Sequence, residues 1–323
     1  MLARNGLRER PGASGIGVGT GVLLVALGAA LWGTDGVLRV PLLREMSPAA
    51  IVLGEHLILL LYSVPAVVFG WGALRRLGGR GWLALLVIGW GGSALATLLF
   101  TAAFLAGDPT VAILLQKTQP LFAIALAHLV LGERLKLAYW PLFAAAMVGA
   151  YLVSFGNLSP FAALGSDAGA GALLAVGAAA LWGASTALGR FVLRDVPFHA
   201  LTGARLLLAL APLAVIALAQ DAFGEMGAGF ASQPGRLLLL ALVPGLLGLL
   251  LYYRGLSSTR ASHATLAELA FPATAVALNW ALLGVAVNAG QVVGFLLLWA
   301  AIYALGRLAG RTVDDAHKTQ ETG

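Results

Sequence analysis

The chain has no cysteine and very little charge. Of its 323 residues, 11% are Asp, Glu, Lys or Arg, whereas soluble domains carry about 25%. Without cysteine there is no disulfide and no thiolate ligand for zinc or an iron–sulfur cluster. Since 60% of the residues are hydrophobic and the mean hydropathy is +0.91, a soluble enzyme is excluded. These deficits indicate a polytopic α-helical membrane protein.

Several enzyme and pump motifs are missing as well. The sequence contains no Gly-x-x-x-x-Gly-Lys-Ser/Thr loop, no His-Glu-x-x-His and no Gly-x-Ser-x-Gly. ATP-driven pumping by this chain alone is therefore excluded, no catalytic residue is assigned, and no metal or other cofactor is expected. The net charge of +6 comes from arginines scattered in short loops, so nucleic acid is not an expected partner.

Long apolar segments fill most of the remaining sequence. A transmembrane helix needs about 20 apolar residues, and about ten segments meet that length. Short polar stretches separate them and leave no room for a soluble domain. The segments lie near residues 17–38, 48–70, 82–105, 109–131, 137–155, 168–190, 198–219, 236–254, 262–282 and 289–306.

A five-residue string, Ala-Ala-Leu-Trp-Gly, occurs twice. It occupies residues 29–33 and returns at residues 179–183, 150 residues later. Repeats at a fixed offset indicate a duplicated unit. Because each unit holds five spans, an odd number, the second copy must enter the bilayer upside down. Inverted repeats are typical of alternating-access transporters. Further corresponding residues, at an offset near 152, are Phe100 with Tyr252, Gln116 with Glu268 and Pro120 with Pro272.

The duplication predicts an all-α fold, with ten transmembrane helices arranged as a 5+5 inverted repeat around a central cavity. The expected domains are an N-terminal tail (1–16), a first repeat (17–155), a second repeat (168–306) and a C-terminal tail (307–323). With the N-terminus inside, the inner segments hold fifteen Lys and Arg residues and the outer ones hold three, Arg39, Arg44 and Arg236. Positive charge accumulates in cytoplasmic loops, so both termini are predicted to be cytoplasmic.

Two short motifs carry a family resemblance. Ala-Leu-Trp-Gly stands in the first span of each half, and Leu131-Gly132-Glu133 follows the fourth span. With ten spans in two halves, the chain resembles the EamA-type branch of the drug/metabolite transporter superfamily, and within it aromatic amino-acid exporters of the YddG type. The resemblance implies an inner-membrane exporter whose cavity is lined by spans 1, 3, 4, 6, 8 and 9. The second half departs from the motif, because residues 283–285 read Leu-Gly-Val.

Lys117 is the most informative charged residue within a span. It lies one turn before Pro120, where a proline leaves a backbone carbonyl without its usual partner. Charged groups at this depth are costly and need a partner, a water-filled cavity or a function. The ammonium suits the carboxylate of a substrate. The alternatives are a structural pair with Glu55 or Asp35, and extension of the side chain toward the interface.

Glu268 precedes Pro272 by four residues, as Gln116 precedes Pro120. We expect kinked helices at both prolines, each with a polar residue one turn upstream. Glu268 could bind a substrate ammonium or a coupling proton. Alternatively, it could pair with Arg205 to close an inner gate, and a pair that forms in one state biases the equilibrium between states.

Other candidates lie on the same presumed cavity helices. Asp35 and Arg39 share one helical face and form either a local ion pair or a substrate contact. Glu55 of span 2 is expected to face Arg205 of span 7. His56 is either a proton relay or a hydrogen-bonded helix residue. The remaining cavity or gate candidates are Trp32, Thr97, Phe100, Thr101, Trp182, Tyr252 and His263.

The sequence therefore predicts a secondary transporter that exports small amphiphilic metabolites, with aromatic or other neutral amino acids as the first expectation. Export or exchange of other metabolites or drugs is the alternative. An intramembrane enzyme, with Lys117 and Glu55 or Glu268 as an acid–base pair, is a remote one. The expected partners are a small-molecule substrate and the lipid bilayer, and the chain is expected to act as a monomer.

Overall fold

A computed structural model describes residues 17–106, 112, 115–155, 169–283 and 287–321, and within these ranges the chain forms helices, turns and loops but no strand. The predicted N-terminal tail lies outside the described residues, as does part of predicted span 4. Six described helical segments are long and apolar enough to cross a membrane, and the bent pair Pro48–Ile58 and Leu60–Leu74 could be a seventh. The six are Val18–Leu42, Gly79–Ala106, Gly169–Val192, Phe198–Ala219, Pro234–Leu256 and Ala289–Ala309.

The first half of the chain forms eight α-helices and one π-helical segment in its described part. Ser47 and Pro48 start the third helix, where Ser47 Oγ accepts a hydrogen bond from the Ala50 nitrogen at 3.4 Å. The elements are α1 (Val18–Trp32), α2 (Asp35–Leu42), α3 (Pro48–Ile58), α4 (Leu60–Leu74), α5 (Gly79–Leu86), π1 (Val87–Leu95), α6 (Ala96–Ala106), α7 (Gln119–Leu131) and α8 (Tyr139–Phe155).

The second half continues the pattern with one additional short helix between its second and third long segments. A 3-10 turn, Glu268–Ala270, joins two of its helices. The elements are α9 (Gly169–Val192), α10 (Phe198–Ala219), α11 (Phe223–Ser232), α12 (Pro234–Leu240), π2 (Ala241–Leu247), α13 (Gly248–Leu256), α14 (Ala261–Ala267), α15 (Phe271–Leu283) and α16 (Ala289–Glu321).

The two π-helical segments occupy corresponding positions in the two halves. Each interrupts a long apolar segment, Gly79–Ala106 in the first half and Pro234–Leu256 in the second. A π-helical turn shifts which side chains face a neighbouring helix, and such turns are frequent at functional sites. The match supports the duplication read from the sequence.

The repeated Trp-Gly string brings each half into close contact with the other. A Cβ added to Gly33 would lie 2.6 Å from the Thr274 Cβ, and one added to Gly183 would lie 2.8 Å from the Ala123 nitrogen. Only glycine allows backbones to approach this closely. As a result, α1 packs against α15 and α9 packs against α7, so each half contacts the other in a corresponding way.

Several predicted spans differ in detail from the structure, the first and the last among them. The first is broken, because α1 ends at Trp32 and a turn at Gly33-Thr34 leads into α2. The Thr34 hydroxyl supports this turn by donating to the Leu31 carbonyl at 2.7 Å. The last helix continues through Glu321, beyond the end expected near residue 306.

The two prolines mark helix starts rather than kinks inside a helix. Pro120 is the second residue of α7, directly after a turn at residues 117–118, and Pro272 is the second residue of α15 after the 3-10 turn. Proline fits the first turn of a helix because its missing N–H would have no intrahelical partner there.

Candidate functional site

A cavity of about 620 Å³ is lined by residues from both halves. This volume lies within the range of about 300–1,000 Å³ typical of small-molecule sites. Residues of the predicted spans 1, 3, 4, 6, 8 and 9 lie on its wall, together with residues of α3 and α10. The predicted site residues on the wall are Trp32, Asp35, Arg39, Glu55, His56, Thr97, Phe100, Thr101, Gln116, Pro120, Trp182, Arg205, Tyr252 and Glu268.

Two matched aromatic pairs face this cavity. The ring centroids of Trp32 and Tyr252 are 5.1 Å apart, and those of Phe100 and Trp182 are 5.2 Å apart. Each pair joins one residue from each half, and the members of the two pairs correspond in the duplication. The indole nitrogen of Trp182 donates to the Gly92 carbonyl of π1 at 3.0 Å, which fixes the ring. The cavity therefore has aromatic surfaces contributed symmetrically by both halves.

Glu268 lies at the centre of a buried hydrogen-bond network. Thr186 Oγ1 donates to Glu268 Oε1 at 3.1 Å, and Gln119 Nε2 donates to Glu268 Oε2. The Tyr252 hydroxyl donates to Thr186 Oγ1 at 2.9 Å, and Gln116 Nε2 donates to Gln119 Oε1 at 3.0 Å. All of these donors are uncharged. In the described part of the chain, no cationic group forms an ion pair with Glu268.

Arg39 forms an ion triad with two carboxylates. Its Nε and Nη2 each lie 2.7 Å from the Asp35 carboxylate oxygens, and Nη2 also lies 2.8 Å from Glu55 Oε1. The local Asp35–Arg39 pair expected from the sequence therefore forms. Arg39 is only 7% exposed, so it is a buried charge of the cavity wall rather than a loop charge. Beside it, His56 Nδ1 is hydrogen-bonded to the Val52 carbonyl at 2.8 Å.

Arg205 forms neither of the ion pairs expected of it. Its Nε donates to Ser93 Oγ and its Nη1 to the Tyr253 hydroxyl, both at 2.7 Å. Among the residues that the structure describes, Glu55 pairs with the α2 arginine instead, and the oxygens of Glu268 accept from neutral donors. Arg205 is thus held by two hydroxyl groups at π1 and α13.

Three predicted site residues, Lys117, His263 and Pro272, do not line the cavity. The Lys117 ammonium is buried and lies 4.7 Å from the centre of the Phe271 ring, and the described residues offer it no hydrogen-bond partner. The pair with Glu55 or Asp35 is therefore absent. His263 stacks on Tyr139, with ring centroids 5.7 Å apart.

The carboxylate of Glu133 ties the α7–α8 connection to the start of α14. It accepts hydrogen bonds from the Ala261 nitrogen at 2.9 Å, the Ser262 nitrogen at 3.1 Å and the Ser262 hydroxyl at 2.6 Å. Tyr139 adds a bond from its hydroxyl to the Ser262 carbonyl at 2.7 Å. These contacts lie at the end of the molecule where α1 begins, and they hold that end together.

A second carboxylate contact lies where α2 ends. Glu225 of α11 accepts a hydrogen bond from the Ser47 nitrogen at 2.7 Å, at the start of α3. Hydrogen bonding to Ser47 holds the pKa of Glu225 below its ordinary value. Nearby, Gln233 Nε2 donates to Glu45 Oε1 at 2.6 Å. The short helix α11 is thereby docked on the α2–α3 connection.

Sequence reasoning missed several polar residues of the cavity wall, three of which are hydrogen-bonded to predicted site residues: Gln119, Thr186 and Ser93. Gln119 directly precedes Pro120, and Thr186 follows Trp182 by four residues on the same helical face. Both positions could have been selected on spacing alone. Ser93 could not, because the π-helical turn of π1 changes which of its residues face inward.

Comparisons with known proteins agree with this architecture. The sequence profile of the EamA-like transporter family matches residues 19–155 and again residues 169–307. The riboflavin transporter ImpX of Fusobacterium nucleatum subsp. nucleatum (strain ATCC 23726 / VPI 4351) is 30% identical over 297 residues, which cover 89% of this chain and 98% of that protein.

A protein of known crystal structure has the same fold. It superposes with a TM-score of 0.71 over 91% of this chain and 98% of its own, at 18% identity. The double family match covers both halves, and the apolar helices found here are those of a multi-pass membrane protein. The chain therefore belongs to the EamA-like transporter family.

Proposed function

We propose that this chain is a secondary transporter for a flat aromatic metabolite of the riboflavin type. The observation that carries the proposal is the pair of aromatic contacts, Trp32–Tyr252 and Phe100–Trp182, on the wall of one cavity of about 620 Å³. Planar ring systems gain most from such surfaces, because aromatic contacts combine a large apolar area with a specific geometry. The relative named as a riboflavin transporter supports the same substrate class.

The proposed mechanism is alternating access between two inverted five-helix repeats, residues 17–155 and 168–306, in the inner membrane. The repeated family match, the paired π-helical segments and the reciprocal Gly33 and Gly183 contacts support the duplication. Five spans in each half would reverse the second half in the bilayer and place the cavity at the midplane. Rocking of one half against the other would expose this cavity to each side in turn.

Export of an aromatic amino acid is the second candidate. Arg39 and Arg205 could attract its carboxylate, and Glu268 could attract its ammonium, since all three line the cavity. It ranks second because the Arg39 charge is already matched by Asp35 and Glu55. Lys117 would then act only indirectly, through Phe271.

Counterflow in proteoliposomes tests the proposal. Vesicles preloaded with unlabelled riboflavin should accumulate labelled riboflavin transiently, and the recovered molecule should be chemically unchanged. Exchange of tryptophan without exchange of riboflavin would favour the second candidate. Chemical conversion of riboflavin without exchange would instead support an intramembrane enzyme.

A further inference from the structure

We infer that Glu268 is a coupling-proton site at which a proton and a hydrogen-bond donor of the substrate compete, so that the protein is a substrate–proton antiporter. The inference rests on the proposed transport function and adds the ion that would drive it. Nothing in the family match or in the name of the relative assigns a driving ion to this chain.

The two buried carboxylates of the cavity differ in how their charge is compensated. Glu55 and Glu268 are each only 6% exposed, and both line the cavity. Glu55 has the Arg39 guanidinium 2.8 Å away, whereas the hydrogen-bond donors to Glu268 among the described residues are the neutral Thr186 and Gln119. A buried carboxylate without a fixed cation is the one whose charge is most readily neutralised by a proton.

Few ionisable groups surround Glu268. The Arg205 guanidinium acts on it electrostatically without forming an ion pair, and the hydroxyls of Tyr252 and Tyr253 lie close by. Helix α1, which packs against the 3-10 turn, has no ionisable side chain. Five further ionisable groups with described side chains on the surrounding elements contact other partners: Lys117 over Phe271, His263 on Tyr139, Tyr139 on Ser262, Arg190 on Ser257 and Arg307 with Tyr303.

The hydrogen bonding of Glu268 explains why a proton and a substrate would exclude each other. An ionised carboxylate accepts about four hydrogen bonds, and each oxygen of Glu268 has one donor from the protein. A substrate N–H or O–H can therefore bind to the ionised form. Protonation converts one oxygen into a donor and removes that acceptor. Substrate would thus bind on one side as the proton leaves, and a proton taken up on the other side would expel it.

Accumulation driven by a pH gradient tests the inference in proteoliposomes, with riboflavin as the probe. With the lumen more acidic by about one pH unit and the voltage clamped, wild-type vesicles should concentrate riboflavin up to about tenfold. Glu268→Gln should still show counterflow but only equilibrate. Glu225→Gln, which alters a carboxylate of α11 outside the cavity, should keep the response to the gradient. Accumulation by Glu268→Gln equal to wild type, or wild-type accumulation only with acid outside, would overturn the inference.

Proton release from the wild-type protein gives a second measurement that does not depend on a variant folding. In weakly buffered detergent solution, riboflavin binding should release up to about one proton per chain at a pH where Glu268 is protonated. No release at any pH in a series would refute the antiport. Wild-type counterflow without a response to the pH gradient would reject the proton site alone, whereas absence of counterflow would reject the transport proposal itself.

Discussion

At the scale of single residues, the aromatic pairs should set the strength of substrate binding. Phe100→Ala removes the ring that packs on Trp182 at 5.2 Å. Aromatic contacts contribute about 0.5–1.5 kcal/mol, so the half-saturating substrate concentration should rise by about two- to tenfold. Phe69→Ala is a matched control, because Phe69 is 85% exposed on the outer surface of α4. Equal effects of the two substitutions would contradict a substrate stack at Phe100.

Lys117 presents a different test. Its buried ammonium has no hydrogen-bond partner among the described residues and contacts the face of Phe271, whose ring lines the cavity. Replacement by Met removes an unpaired buried charge, so the folded protein should melt at a higher temperature. Transport should nevertheless fall by about thirtyfold, because a desolvated cation–π contact of about 2 kcal/mol is lost. Lower thermal stability together with normal counterflow would show that Lys117 is only structural.

Contacts within one helix can be predicted from the sequence, whereas contacts between helices cannot. The Asp35–Arg39 pair follows from four-residue spacing on one helix, and the structure contains it. The contact between Gln119 and Glu268 joins residues 149 positions apart, so it depends on how two helices cross. Spacing cannot supply that information. The same limit explains why Arg205 was assigned to a carboxylate when it contacts two hydroxyls.

At the scale of elements, Glu133 should control one entrance to the cavity. Glu133→Ala removes three hydrogen bonds that hold the start of α14. Hydrogen bonds to a charged group contribute about 1.5–3 kcal/mol each, so this end should open more often. A cysteine introduced at the buried cavity position Thr265 should then react severalfold faster with a thiol reagent, against a background free of native cysteine. Unchanged or slower labelling would contradict this role.

Docking of α11 should depend on pH in a defined direction. The pKa of Glu225 is lowered in the folded protein by its hydrogen bonding to Ser47. Its stabilising contribution is therefore complete above the ordinary Glu pKa and is lost as the pH falls through the lowered value. Amide exchange of residues 223–232, corrected for intrinsic rates, should accelerate over that acidic range. In Glu225→Gln, the corrected exchange should be fast and independent of pH there. If amide exchange in the wild-type protein were equally independent of pH, the proposed role of the Glu225–Ser47 hydrogen bond would be disproved.

Element positions were predicted better than element shapes. Apolar length located the six described helical segments that are long enough to cross a membrane, because the bilayer fixes how many residues a span needs. Breaks such as the turn at Gly33-Thr34 and the π-helical segments were missed, since they depend on tertiary contacts rather than on hydropathy. The break in the first span matters for the site, because it begins the helix that carries Asp35 and Arg39 to the cavity wall.

At the scale of the whole molecule, orientation in the membrane remains a prediction from charge. With both termini cytoplasmic, a cysteine at Gly227 on α11 should react with an impermeant reagent added outside intact cells. A cysteine at Arg76, in the exposed loop between α4 and α5, should react only after the cells are permeabilised. If the cysteine at Arg76 reacted from outside and the one at Gly227 only after permeabilisation, the topology would be the reverse of the predicted one. If both reacted from outside, the number of spans between them could not be odd.

The reciprocal packing of α1 on α15 and α9 on α7 has a consequence for biosynthesis. At about 5–20 residues per second, the ribosome needs about 6–24 s to extend from the end of α8 to the start of α15. Throughout that interval α1 is already made, but the α15 surface that Gly33 will contact is still missing, whereas α9, which contacts Ala123, is the next described helix after α8. The first half must therefore wait in the membrane with its inner faces covered by lipid or by an insertion factor. Two separately expressed halves should consequently assemble only when they are synthesised together.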